Sequence, residues 1–166
     1  ADGVVEKLMT PSDRTRLEHY DETRKLALEE ARTEQPAELA QLDALLAKPL
    51  LSLPDFDLGG QWRCRTIKAG GIATLVVYDW FNCLITDDGS GWELVKTSGS
   101  QRTTGRFYDD GENRMIYLGS FYIADEAAVP YGSGTETDQV GYAFRTGPAE
   151  WRIEFPAPRL ESKLDI

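Results

Sequence analysis

Histidine and cysteine are scarce in this chain of 166 residues, which contains one histidine, His19, and two cysteines, Cys64 and Cys83. His19 lies among acidic residues, as on the solvated side of a helix. A single surface histidine argues against a Ser-His-Asp catalytic arrangement and against a two-histidine metal site. The cysteines form neither a C-x-x-C pair nor a cluster with histidine, which argues against zinc and redox motifs. We therefore expect no catalytic residues of a standard type, no metal and no cofactor.

Positive charge is also in short supply, because 18 Lys and Arg residues stand against 28 Asp and Glu residues and leave a net charge of −10. A surface of that sign repels a phosphate backbone, so we expect no nucleic-acid partner. The sequence has no apolar run of about 18 residues, so no transmembrane segment is expected either. Its longest apolar stretch runs from Leu75 to Phe81 and contains Asp79. We interpret Asp79 as an outward-facing or bulge residue rather than a buried acid.

The two cysteines are nineteen residues apart, in what the pattern below predicts to be neighbouring strands. In an oxidising compartment they could form one disulfide, which would stabilise a loop of this size by about 3 kcal/mol. Otherwise they would be two buried thiols that act as small hydrophobes. The sequence begins Ala-Asp-Gly without an initiator methionine, as after signal-peptide cleavage or after trimming of the chain. We expect a periplasmic or secreted protein whose signal peptide has been removed.

Residues 1–58 are predicted to be a helical extension of two helices followed by a linker. Thr10 is a typical N-cap with a proline after it, and Asp13 is placed as its capping-box partner. The helix-forming residues that follow have apolar side chains on one side and charges on the other. The second helix opens at Pro36 and ends at Pro49.

Between residues 59 and 166 the hydrophobic pattern alternates and turn signals recur at short intervals, which predicts a meander of antiparallel strands. Eight strands are expected, near 61–68, 73–86, 91–98, 101–108, 114–124, 138–146, 150–155 and 159–165. Eight strands joined by short hairpins close a small barrel, so we predict a mainly β fold, an eight-stranded antiparallel up-and-down barrel. A β-sandwich of the same strands is the alternative.

Nine residues of these strands are expected to be largely buried: Trp62, Val77, Phe81, Leu118, Phe121, Phe144, Trp151, Ile153 and Phe155. The second strand is apolar on both faces, so the helices are expected to cover its outer side. The glycines fit a strongly curved sheet, because a cross-strand aromatic can cover a glycine at a bend. With a hairpin centred near Gly111, Gly105 would face Tyr117.

Gly60-Gln61-Trp62 stands at the entry of the first predicted strand, and Arg159 lies where the last one is expected. This arrangement resembles the pattern of lipocalin and calycin proteins. The resemblance implies a lipocalin-like barrel in which Trp62 packs across one end against Arg159. A guanidinium over an indole face stabilises by roughly 0.5–2 kcal/mol. The same stretch followed by Cys64 is similar to the bacterial periplasmic inhibitors of secreted alkaline metalloproteases, which implies one disulfide and an N-terminal arm that reaches a protease.

A broader resemblance runs over most of the chain. It is carried by Leu8–Asp13, Trp62–Lys68, Gly99–Gly105, Tyr117–Gly119 and Pro158–Asp165. These segments look like those of an uncharacterised proteobacterial family of exported proteins, defined only as a domain of unknown function. The resemblance brings no activity with it.

Two predicted strands each carry a pair of arginines on one face. Such pairs could bind an anionic ligand or an acidic partner, or they could pair with neighbouring acids. The second pair lies in a stretch dense in hydrogen-bonding groups, which is the first choice for a polar recognition patch. The candidate ligand-binding residues are therefore Arg63, Arg65, Gln101, Arg102, Thr103 and Arg106.

Two further features have both a functional and a structural interpretation. Asp87-Asp88-Gly89 and Asp109-Asp110-Gly111 resemble calcium-loop fragments, but they lack the spaced ligands of an EF-hand and are explained as turns. The long connection 125–137 could gate a barrel mouth or be a surface loop without a role.

Three functions remain open from the sequence. The first is a non-enzymatic cell-envelope protein that binds an unknown small molecule inside the barrel, lipocalin-like in its design. The second is a protein–protein interaction module, such as a protease inhibitor. The third is a carboxylate-based hydrolase. An open interior favours the first, a filled barrel the second, and a pair of buried carboxylates in a cleft the third.

Overall fold

The computed structural model describes residues 3–72, 74–160 and 162–166. The helices are α1 (Gly3–Leu8), α2 (Pro11–Glu18), α3 (Tyr20–Arg32) and α4 (Leu39–Leu46). The strands are β1 (Gly60–Cys64), β2 (Ile67–Ala69), β3 (Leu75–Val77), β4 (Phe81–Asp87), β5 (Trp92–Lys96), β6 (Gln101–Asp109), β7 (Met115–Ile123), β8 (Asp138–Gly147), β9 (Glu150–Pro156) and β10 (Leu164–Asp165). None of the described helices is long and apolar enough to span a membrane.

The N-terminal region is helical, as predicted, but its described residues form four helices rather than two. Thr10 caps α2, and its hydroxyl accepts a hydrogen bond from the Asp13 backbone N–H at 3.2 Å. The predicted first helix breaks at His19, which is exposed and has a ψ of 11°. The break redirects the chain, because α2 packs on β8 whereas α3 packs on β2, β9 and β10. The short helix α1 was not predicted, and Val5 on it is buried.

In the described residues, ten strands form one antiparallel sheet in the order β1-β4-β5-β6-β7-β8-β9-β10-β2-β3. The mainly β, antiparallel fold is therefore confirmed, and the alternative of two packed sheets is wrong. The sheet is curled into a half-barrel that stays open, since β1 and β3 stand at its two ends. The prediction of a closed, eight-stranded barrel is thus wrong on both counts.

A bulge in one long hairpin explains the extra strands. The first two predicted strands pair with each other, but their register changes between Cys64↔Phe81 and Ile67↔Val77. Two residues on one strand therefore oppose three on the other, which bends the ribbon. One half of the hairpin, β1 with β4, joins β5, and the other half, β2 with β3, joins β10. Asp79 lies in this bulge and is exposed, as predicted.

The helices cover the outer side of the half-barrel, where α1 and α2 bury apolar residues against β7 and β8. A second outer cluster joins α3 and α4 to β2, β3 and β10, around the fully buried Leu42. Burial of apolar surface at about 25 cal/mol per Å² stabilises these contacts. The expectation that helices cover the second predicted strand is confirmed for its β3 half.

The hairpin between β6 and β7 pairs Gly105 with Gly119 and Phe107 with Tyr117. The predicted pairing of Gly105 with Tyr117 is therefore wrong by two residues, which leaves every side chain on its predicted face. The Tyr117 ring still covers both glycines. A Cβ on Gly105 would lie 2.6 Å from Tyr117 Cζ, and one on Gly119 would lie 2.7 Å from Tyr117 Cε2.

Candidate ligand-binding cavity

One end of the half-barrel contains a cavity of about 770 Å³. Its lining comes mainly from β1 and β2, the first residues of β6, residues 136–140, and β9. The other end is filled by its own side chains, which are buried: Leu58, Ile85, Phe107, Met115 and Tyr117. The interior is therefore a packed core at one end and an accessible chamber at the other.

The cavity explains why part of the expected core is not buried. Leu118, Phe144 and Ile153 are buried, as predicted. Six others are half-buried, contrary to the prediction: Trp62, Val77, Phe81, Phe121, Trp151 and Phe155. All of these except Val77 line the cavity. An accessible aromatic surface inside a concave site is typical of pockets for organic ligands.

A polar network lies on one wall of the cavity. Thr103 and Gln139 line it, and the Thr103 hydroxyl bonds both to Gln139 Oε1 and to the hydroxyl of Tyr117 at 2.7 Å. Burial raises the pKa of Tyr117, whose hydroxyl therefore stays protonated and can donate to Thr103. The buried indole N–H of Trp151 has no hydrogen-bond acceptor among the described residues. The lining thus offers polar groups as well as aromatic rings.

The exposed part of the lining combines arginine with tryptophan. The guanidinium of Arg65 lies 4.6 Å from the centre of the Trp80 ring, and that of Arg63 lies 6.0 Å from it. Arg65 also donates to Gln41 Oε1 at 3.3 Å. Both arginines line the cavity, and Trp80, 48 % exposed, lies beside them. The sequence pattern identified these arginines but gave no sign of Trp80.

The arginine pair of β6 is divided between two environments. Arg102 lines the cavity and donates from Nε to the Gly99 carbonyl at 2.9 Å. Arg106 does not line it and is bound by Asp88 at 2.6 Å and by Glu93 at 3.4 Å. Arg106 therefore follows the structural interpretation, in which an arginine pairs with neighbouring acids. Of the six candidate residues, the other five lie in the cavity wall.

Lys96, at the end of β5, is a lining residue that sequence reasoning missed. Its Nζ lies 4.6 Å from the centre of the Phe81 ring. Burial lowers the pKa of Lys96, and the nearby positive charges of Arg102 and Lys68 lower it further. The sequence signal that could have identified it is a lysine at a strand position whose side chain points into the half-barrel.

Trp62 and Arg159 both line the cavity, but they are not in contact through the expected cation–π pair. Trp62 packs edge-on against Phe56 and Trp151, and its indole N–H donates to the Leu58 carbonyl at 2.7 Å. Arg159 is exposed, and its nearest described carboxylate is Glu136 at 3.9 Å. Gly60 has a φ of 119°, which suits glycine at the entry to β1.

The two cysteines form a disulfide in the cavity wall, with their Cα atoms 6.1 Å apart. Of the two possibilities left open by the sequence, the disulfide is confirmed. It lies beside the bulge, since Cys64 is the last residue of β1. The bond therefore ties the two strands together at the bend of the hairpin.

The buried carboxylates are separately bound. Glu154 accepts from Tyr20, Arg24 and Arg152. Asp13 accepts hydrogen bonds from the Arg16 guanidinium and from the Tyr131 hydroxyl. Asp138 accepts a hydrogen bond from the Gly132 backbone N–H at 2.9 Å. Among the described residues, no group of three or more His, Cys, Asp or Glu residues could hold a metal.

The first Asp-Asp-Gly segment, Asp87-Asp88-Gly89, forms a turn. Asp87 accepts from the Gly89 N–H at 2.9 Å, and Asp88 accepts from the Ser90 N–H at 3.0 Å. Such bonds from an aspartate to the backbone two residues on are typical of Asx turns. The Arg106 guanidinium, together with Ser90, lowers the pKa of Asp88.

The connection 125–137 is held to the helices by Tyr131. The Tyr131 hydroxyl accepts from the Thr10 backbone N–H at 3.1 Å and donates to Asp13. Burial and the Asp13 carboxylate raise the pKa of Tyr131 to about 12. The end of this connection, Glu136 and Thr137, lines the cavity.

Helix α4 and Lys48, which follows it, bind two separate parts of the sheet. Gln41 binds Arg65, which follows β1. The Leu45 carbonyl accepts from Arg152 on β9 at 3.1 Å, and Lys48 binds Glu150 at 2.5 Å. The segment thus links β1 to β9, which are not hydrogen-bonded to each other.

The sequence profile of DUF4893, described as a domain of unknown function, matches residues 6–166. No curated protein and no solved structure gives a significant match to the chain.

Proposed function

This chain belongs to the DUF4893 family, and we propose that it is a non-enzymatic binding protein that holds a small organic molecule in the open end of its half-barrel. The observation that supports this function is the cavity of about 770 Å³ with five half-buried aromatic side chains in its wall. Ligand pockets of this size and composition are typical of proteins that bind drug-sized molecules.

A lipocalin-like mode of action fits this proposal, because the ligand would lie inside a curved antiparallel sheet. The Cys64–Cys83 disulfide supports a periplasmic or secreted location, since such bonds persist in oxidising compartments. The buried acids are bound to separate partners rather than to each other, which gives a carboxylate-based hydrolase no support.

The alternative of a protease-inhibitor-like module with a projecting N-terminal arm has less support. Val5 on α1, Leu17 on α2 and Met9 between these helices are buried on the sheet. An arm that reaches a partner would have to leave these contacts. The ligand-binding function requires no such rearrangement.

The proposal is tested with N-phenylnaphthylamine, a neutral dye whose fluorescence rises in an apolar site. We expect saturable binding with one site per chain. Thr66→Trp would fill the cavity, because Thr66 is half-buried in its lining, and should weaken dye binding at least about tenfold.

Thr104→Trp is the matched control, because Thr104 is half-buried on β6 but does not line the cavity. Both variants add one tryptophan, so the dye is excited at a wavelength that tryptophan does not absorb, which keeps the added residue out of the signal. Thr137→Trp repeats the test at a second lining position if Thr66→Trp does not fold by circular dichroism. Absence of saturable binding, or equal weakening by lining and control variants, would refute the function.

A further inference from the structure

The cavity is positively lined in a negatively charged protein. Among its described lining residues are nine of the 18 Lys and Arg residues but four of the 28 Asp and Glu residues. The chain as a whole carries a net charge of −10. Residues drawn at random from this chain would carry a net negative charge, whereas the cavity lining carries a net positive charge. Clefts lined by one sign of charge concentrate ligands of the opposite sign.

Some of these cations are already neutralised. Lys48 is bound by Glu150, Lys68 by Asp165, and Arg152 by Glu154. Arg63, Arg65, Lys96 and Arg102 have no carboxylate within 4.0 Å among the described residues. The positive charge of the cavity that no described carboxylate neutralises is therefore carried by these four residues.

Lys96 and Arg102 are two cations that line the same cavity. They stand at the end of β5 and the start of β6, which are adjacent strands. The charge of Arg102 opposes the protonation of Lys96. Holding two like charges together costs free energy that a bound anion would offset.

Aromatic rings line the same cavity as these two cations. Lys96 lies over Phe81, and Phe121 and Phe155 also line the chamber. A free inorganic anion would make no apolar contact with these rings, whereas an organic anion can contact both the rings and the charges. The network of Thr103 and Gln139 on the same wall supplies further polar contacts.

We propose that the cavity binds organic anions with an apolar body, and that Lys96 and Arg102 hold the negative group while the aromatic wall holds the body. This inference rests on the proposed binding function and specifies its ligand class. A carboxylate and a phosphate ester share this chemistry, and both would be charge-assisted acceptors for an ammonium and a guanidinium.

The test compares two dyes with the same ring system. Anilinonaphthalene sulfonate is an anion, and N-phenylnaphthylamine is its neutral counterpart. We expect the anionic dye to bind more tightly to the wild-type chain. Lys96→Met and Arg102→Met should each weaken binding of the anionic dye about tenfold relative to the neutral dye, as for loss of a hydrogen bond to a charged group.

Arg106→Met is the matched control for Arg102→Met. Both changes remove one positive charge from β6, but Arg106 is bound by Asp88 and does not line the cavity. We expect Arg106→Met to leave the binding of both dyes unchanged. Displacement of the neutral dye by dodecanoate, dodecyl phosphate and dodecanol then separates the ligand sources, and the two anions should compete at lower concentrations than the alcohol.

The outcomes distinguish the two proposals. If the neutral dye does not bind, the binding function itself is refuted. If it binds but the anionic dye is no tighter, or is unaffected by both Lys96→Met and Arg102→Met, the cavity is a binding site without a preference for anions. A tenfold loss of anionic-dye affinity relative to the neutral dye, in the two cavity variants but not in Arg106→Met, supports the inference.

Discussion

Tyr20 on α3 donates a hydrogen bond from its hydroxyl to Oε1 of Glu154 on β9 over 2.8 Å. Glu154 is fully buried and also accepts from Arg24 and Arg152. A buried carboxylate needs such partners, because an unpaired charge away from water is strongly destabilising. The contact therefore fixes α3 to the sheet through a group that cannot readily lose any of its donors.

Removing the Tyr20 hydroxyl should destabilise the fold. We expect Tyr20→Phe to lower the free energy of unfolding by about 2 kcal/mol, as for loss of a hydrogen bond to a charged group. Urea denaturation measures the change. Tyr122→Phe is the control, because its hydroxyl has no hydrogen bond to another described residue. Equal losses for both variants would show that the Glu154 contact is not the cause.

Alkaline pH should release the connection 125–137 from α2. The pKa of Tyr131 is raised from 10.0 to about 12, so the folded state keeps the proton that the unfolded state loses. Its contribution to stability is complete below pH 10.0 and is lost as the pH rises to about 12. We expect Tyr131→Phe to be less stable than wild type at pH 7 and to show a smaller decline over this interval. An equal decline in the free energy of unfolding of the two proteins between pH 10.0 and about 12 would contradict this prediction.

Gly105 has no room for a side chain. A Cβ there would lie 2.5 Å from the Leu118 carbonyl oxygen and 2.6 Å from Tyr117 Cζ. We expect Gly105→Ala to destabilise the chain by about 1–3 kcal/mol, because the backbone of β7 has to shift. Gly3→Ala is the control, since nothing lies within 4 Å of its added Cβ. Thermal unfolding that is unchanged in Gly105→Ala would disprove the close approach.

Lys96 should stabilise a bound anionic ligand but destabilise the folded protein without a ligand. Because its pKa is lowered on folding, the protonated lysine opposes folding at neutral pH, and this effect disappears above its usual pKa of 10.5. We expect Lys96→Met to raise the free energy of unfolding at pH 7 by up to about 1 kcal/mol. Lys25→Met, at an exposed position on α3, should change it little. A loss of stability in Lys96→Met alone would contradict this account.

Local signals in the sequence predicted the parts of the fold that local chemistry determines. Thr10 caps a helix because its hydroxyl reaches Asp13 three residues away, and that spacing is visible in the sequence. Most strand positions follow from alternation and turn residues, and the cysteine pair from two adjacent predicted strands. The face of each residue on β6 and β7 was correct even though the register was not.

Features that depend on how the whole sheet curls were not predictable. The bulge next to Cys64 contains neither glycine nor proline, and it arises because one hairpin has to join both β5 and β10. The five candidate residues in the cavity wall were identified by residue type, but whether Trp62 and Trp151 meet a packed core or a chamber depends on the width of the whole sheet. The Tyr131 contact joins residues 118 apart and leaves no local signal.

Strand β10 has only two residues, yet it is the hydrogen-bonded link between β9 and β2. Its Asp165 binds Lys68, 97 residues away along the chain. Loop closure over such a span costs conformational entropy before any contact compensates for it. Non-local pairings of this kind slow folding. The meander from β4 to β9 can form by adding neighbouring hairpins. We therefore expect the wall that carries Lys68 to be completed last, so that the chamber exists only in a chain whose folding has finished.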